Sequence, residues 1–167
     1  MWFETIRSII EAHMNTSMNL ESTHFNIRVY GILINAQDEV LLSRESYKGK
    51  IFTKFPGGGV CLGEGVEAAL HREFKEEGNI RIAIKSLLHI TGDYVPSAFD
   101  DSQVVGVYYL VEAMEELDLG FREQIEEAGK TQAYHWVSLK EMHTDRLGFE
   151  MDRAAWKSFI NLRTAHK

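Results

Sequence analysis

The chain has 167 residues, 44% of them apolar and 26% charged, with a net charge of −7. That length suits one domain with its own core, and that balance excludes a disordered chain. The acidic sign disfavours nucleic acid held on a broad basic face, although a bound cation can reverse the local field for a small anion. Cys61 is the single cysteine, so no internal disulfide can form, which fits a reducing compartment. No window reaches 18 uncharged apolar residues, and residues 1–10 lack the basic flank and apolar run of a signal peptide. The expectation is a cytoplasmic protein with no membrane segment.

Trp2, Phe3, Ile6, Ile9 and Ile10 recur at helical spacing and predict a short amphipathic helix over 2–14, followed by a polar linker. Residues 1–23 therefore read as an N-terminal helical arm. It would pack on its own domain or, as the alternative, on the second subunit of a homodimer. Residues 24–167 read as one domain. Residues 25–34 are β-branched and aromatic and predict a strand. The turn Asn35-Ala36-Gln37-Asp38 suits a hairpin to a second strand at 40–43. A short strand at 52–55 stops at Pro56 and three glycines, which read as a flexible turn. A helix is predicted over 65–77, and strands over 80–90, 103–112 and 133–137. Ser138 and Glu141 fit a capping box for a short helix at 139–143. Met151, Ala155, Phe159 and Leu162 share one face of a closing helix over 151–162. Strands and helices mix without strict alternation, which predicts an α+β layered fold.

The chemistry concentrates between Gly57 and Ile80. Glu73, Glu76 and Glu77 stand at i, i+3 and i+4, so they share one helix face spanning roughly 100°. Like charges at that spacing repel, and they sit where the helix dipole disfavours anions. Arg72 or a hard divalent cation would compensate; Mg²⁺ and Mn²⁺ prefer carboxylate oxygen. The glycines permit close approach by metal or phosphate, and a backbone carbonyl there could complete a metal shell. Glu64, at the predicted helix start, is placed to cap it.

Together these residues resemble the Nudix box, G-x5-E-x7-R-E-U-x-E-E-x-G-U with U apolar. Gly58, Glu64, Arg72, Glu73, Phe74, Glu76, Glu77 and Ile80 fall in register, eight of nine specified positions. Asn79 replaces the final glycine, and Asn is the next most tolerant residue for a left-handed helix end. The resemblance extends through the Phe55-Pro56-Gly57-Gly58 approach and the segment 135–141. It implies an α/β/α sandwich with a central mixed sheet, and metal-dependent hydrolysis of a diphosphate linkage in a nucleoside diphosphate derivative. Glu73, Glu77 and Arg72 would be catalytic. Gly57 (through its carbonyl), Glu73, Glu76 and Glu77 would hold Mg²⁺ or Mn²⁺. Phe55, Gly58, Gly59 and Glu64 would bind substrate. A further carboxylate would come from Glu123, Glu126 or Glu127, and Tyr47, Phe52, Tyr94, Phe99 and Trp136 are the aromatic residues that could stack on a base. The loop over 93–102 would border the pocket. The competing reading is a non-catalytic nucleotide or ADP-ribose sensor of the same fold, which the intact carboxylate set disfavours.

Overall fold

The computed structural model describes residues 22–117 and 131–165. The expected N-terminal helix and Glu123, Glu126 and Glu127 lie outside the described residues. Among the described residues seven strands, β1 His24–Leu33, β2 Glu39–Tyr47, β3 Lys50–Lys54, β4 Gly57–Gly59, β5 Ile82–Ile90, β6 Ser102–Ala113 and β7 Thr131–Ser138, combine with helices α1 Val66–Gly78 and α2 Glu150–Ala165.

The strands form two sheets, ordered β4-β1-β6-β5 and β3-β2-β7. The first is mixed: β1 runs parallel to β6, whereas the β1–β4 and β5–β6 pairs are antiparallel. Period-two alternation along β1 sends its side chains to opposite faces. Val29 and Leu33 join Ala69, Leu70 and Phe74 of α1 in one cluster. Tyr30 and Ile32 join Met151, Ala155, Trp156 and Phe159 of α2 in the other. The expected sandwich with helices on both faces of a mixed sheet is therefore present, and full burial of such side chains contributes about 1.5–3 kcal/mol each.

Three local expectations are corrected. The turn at 35–38 does not open a regular hairpin: after one bridge, Ile34 to Val40, the chain leaves for the second sheet. Asp38 adopts a left-handed φ of 60°, and Val40 and Leu42 bury toward α2 while Leu41 buries toward α1, so β2 is covered on both sides. The three glycines form β4 rather than a flexible turn; Gly57 pairs with Tyr30 and Gly58 with Val29. The predicted helix at 139–143 is a turn, with a short 3-10 segment at Thr144–Arg146. Ser138 and Glu141 make a backbone turn contact there, Glu141 N–H to Ser138 O at 2.9 Å, instead of a capping box.

Candidate active site

Helix α1 starts at Val66 behind Gly65, with no side-chain cap on its first turn. Glu64 is therefore not the expected cap. Its carboxylate instead accepts from the Cys61 N–H at 3.0 Å and from Arg72 at 2.7 and 2.9 Å. These bonds, from Arg72 first and the Cys61 amide next, pull its pKa down to about 2. The helix ends at Gly78 because Asn79 turns left-handed at φ 50°, ψ 36°. The Asn79 and Ile80 amides then return to Lys75 O and Phe74 O at 2.8 and 3.0 Å. The left-handed residue expected at this departure from the motif is thus in place.

Arg72 uses the full fork of its guanidinium. Besides Glu64, it donates to Glu73 at 2.8 Å, Glu76 at 3.1 Å and the Gly59 carbonyl at 2.9 Å. It thereby fastens the loop before α1, the acidic face of α1 and the end of β4 to one another. The two strongest partners, Glu64 and Glu73, hold its pKa above the ordinary arginine range.

The three expected metal carboxylates differ in setting. Glu73 is 13% exposed and packs against β4, and burial, followed in the same direction by the Glu77 charge, raises its pKa despite the Arg72 bond. A Cβ at Gly58 would overlap its carboxyl group, so the glycine at 58 makes room for Glu73. Gly57 sits at φ 135°, and a Cβ there would strike the Val29 carbonyl. Glu77 is half-buried and accepts from the Tyr134 hydroxyl at 2.8 Å. Burial first, then Glu77, pushes the Tyr134 hydroxyl well above its usual pKa. Glu76 is 61% exposed and turned toward Arg72. Among the described residues no three acidic, imidazole or thiol side chains are arranged to hold an ion. The donor chemistry nonetheless fits a hard divalent cation: every candidate ligand is oxygen, and the glycine at 58 makes room for the Glu73 carboxyl against β4.

A cleft of about 460 Å³ meets this site through Lys54, which lines the cleft and bonds to the Gly57 carbonyl; no residue of α1 lines it. Its floor carries Arg28, Tyr30, Glu45 and Lys54; Val95, Pro96 and Phe99 stand on the opposite side. Tyr47, Phe52, Phe99 and Phe149 form a continuous aromatic wall, with centroid separations of 5.2 Å for Tyr47–Phe99, 5.5 Å for Phe52–Phe99 and 5.0 Å for Phe52–Phe149. The Lys48 ammonium holds the strap over 95–100 by a 3.0 Å bond to the Phe99 carbonyl. The loop expected to border the pocket does so, and Tyr47, Phe52 and Phe99 line it, whereas Tyr94 and Trp136 do not.

Phe55 is a correction. Its ring is fully buried between Tyr108 and Trp156, so it serves the core and offers no surface to a substrate. Sequence reasoning passed over Lys54, Glu45, Arg28 and Phe149. Lys54 is 3% exposed, bonded to Glu45 at 2.7 Å and to the Gly57 carbonyl at 2.6 Å. Burial opposes its charge, but Glu45, Glu77 and Tyr30 outweigh burial and leave its pKa raised. The available signal was a lysine placed directly before Phe-Pro-Gly, where a strand runs into the motif.

A model of the NUDIX domain matches residues 24–157. No curated protein matches the chain. Among solved structures, a NUDIX hydrolase from Nitrosomonas europaea aligns with TM-score 0.65 at 18% identity, covering 81% of this chain and 88% of that one. The MutT protein from Methanosarcina mazei Go1 aligns with TM-score 0.63 at 20% identity, covering 84% and 96%. An ADP-ribose pyrophosphatase from Streptococcus suis aligns with TM-score 0.56 at 15% identity, covering 85% and 92%. At these identities the likeness to the solved structures is one of fold.

Proposed function

The chain belongs to the NUDIX family, and from that premise we propose that it is a pyrophosphohydrolase that cleaves the diphosphate linkage of a nucleoside diphosphate derivative with the help of Mg²⁺ or Mn²⁺. One observation carries this reading: a carboxylate-bearing helix, fastened by Arg72 to β4, is linked through the Lys54–Gly57 contact to a cleft lined by cationic and aromatic side chains. The two ends of that cleft suit the two ends of such a substrate. Phe52, Phe99 and Phe149 present ring faces and edges to a base. Arg28 and Lys54 place positive charge where the phosphates would lie.

Glu73, Glu76, Glu77 and the Gly57 carbonyl would hold the cation, with Tyr134 bonded to one Glu77 oxygen. The cation supplies charge neutralisation and a more acidic water. Arg72 keeps the Glu73 carboxylate oriented and favours its charged form, against the burial that opposes it. Glu73 or Glu77 accepts the proton of the attacking water. Arg28 and Lys54 fix the diphosphate for in-line attack, so the protein contributes mainly position and electrostatics.

The test is a phosphate-release panel of nucleoside diphosphate derivatives, including ADP-ribose and a nucleoside diphosphate sugar, with Mg²⁺ or Mn²⁺. Turnover should vanish with chelator, and Glu77→Gln should lower kcat by about 10²–10⁴-fold in a folded protein. No turnover of any nucleotide in the panel, or near-wild-type turnover by folded Glu77→Gln, would overturn the reading.

A further inference from the structure

The oxygen offered to the cation on β4 already has a cation on it. The Lys54 ammonium lies 2.6 Å from the Gly57 carbonyl oxygen and is only 3% exposed. Its three protons have three destinations: that carbonyl, Glu45 Oε1 at 2.7 Å, and the face of the Tyr30 ring, whose centroid is 5.5 Å away. Glu45 is itself held in place, accepting from Ser43 at 2.9 Å and from Gln132 at 3.2 Å. The lysine therefore has a fixed anchor on one side and an exchangeable partner on the other.

A divalent ion ligated by the Gly57 oxygen and an ammonium hydrogen-bonded to the same atom would be like charges sharing one acceptor. Occupancy by one expels the other. A displaced ammonium in so buried a place needs a replacement acceptor, because an unpaired buried charge is costly. Lys54 lines the cleft beside Arg28, so a phosphate oxygen of a ligand bound there is the acceptor within its reach.

We propose that Lys54 is a substrate-binding residue that guards the Gly57 carbonyl in the empty site and, pivoting on Glu45, transfers its hydrogen bond to a substrate phosphate oxygen once a divalent ion takes that carbonyl. This rests on the diphosphate reading above. It makes ion binding and substrate binding mutually supportive, since each event supplies what the other displaces.

The experiment measures binding without turnover. Mn²⁺ affinity is read by electron paramagnetic resonance in the absence of nucleotide. Affinity for α,β-methylene ADP, a non-hydrolysable probe, is read at saturating Mg²⁺. Lys54→Met should bind Mn²⁺ alone at least threefold more tightly and the methylene probe at least tenfold more weakly; Lys54→Arg should recover most of the probe affinity. A folded Lys54→Met with unchanged or weaker Mn²⁺ binding, or with unchanged probe binding, overturns the proposal. If Lys54→Met does not fold, the ammonium resonance of Lys54 in the wild-type protein decides. It should shift on Mg²⁺ saturation and again on adding the probe, and a resonance unmoved by Mg²⁺ overturns the proposal. Should wild type prove inactive on every nucleotide tested, the substrate reading falls while the Mn²⁺ titrations still judge the guard role. Should turnover be intact and the Lys54→Met affinities unmoved, the Lys54 inference falls alone.

Discussion

Replacing Asp152 by Asn should change how stability depends on pH. Asp152 projects from α2 into the core with no exposure. Its Oδ1 accepts from the Tyr108 hydroxyl at 2.7 Å, and its Oδ2 has no partner. Burial is the leading cause that lifts its pKa from 3.8 to about 7, against the pull of the Tyr108 bond, Lys54 and Arg28. Between those two values the folded protein binds more protons than the unfolded chain, so stability falls as pH rises. The contribution is fully present below the unfolded value and is lost once pH passes the folded one. At about 1.4 kcal/mol per unit, the loss across the window is about 4 kcal/mol. Asn carries no titrating proton, so Asp152→Asn removes this slope. It adds a roughly constant cost of about 1–3 kcal/mol for an amide left short of partners. Urea unfolding of both proteins from pH 4 to pH 8 measures the difference. The variant should gain on wild type by about 4 kcal/mol over that range, and parallel profiles would refute the assignment of a buried, protonated Asp152.

Two further outcomes follow from the geometry of α1 and its surroundings. Gly58→Ala places a methyl group where the Glu73 carboxyl lies, so Glu73 must move aside; Mn²⁺ affinity should fall by about tenfold, as for loss of a ligand's support, with the far-ultraviolet circular dichroism unchanged. Asn79→Gly relieves a left-handed residue at the helix end; the urea midpoint should rise by an amount worth about 0.5 kcal/mol, and a lower midpoint would contradict the helix-end account.

The sequence exposes what is periodic or local. The run of Val104, Val107, Tyr108 and Val111 announces β6, and the spacing of Ala69, Leu70 and Phe74 under Arg72 announces α1. Carboxylates three and four apart share a face by helix geometry alone, so the acidic wall was readable before any coordinates. Contacts between distant segments were not. Nothing near Glu77 specifies that Tyr134, 57 positions away, donates to it. Nothing in the strand before Phe55 specifies that Lys54 is buried, since a lysine is normally a surface residue. Phe55 misleads for the converse reason: an aromatic ring beside a glycine motif invites a ligand role, yet sheet packing points it at Trp156. The glycines at 57–59 look like a turn because strand propensity counts side chains, and here a side chain at 57 would strike β1 and one at 58 would strike Glu73.

The early departure of β2 from β1 has a consequence for how this molecule can diversify. The cleft walls come largely from the β2–β3 hairpin, the strap over 95–100 and the approach to α2, whereas the acidic helix rests on the opposite face of the other sheet. Under the proposed function, ligand preference and bond-breaking equipment thus stand on separate supports, stitched together where Lys54 meets Gly57. Residues on the first support can be exchanged to admit a new leaving group while the second keeps its alignment, which gives one scaffold a route to many anhydrides.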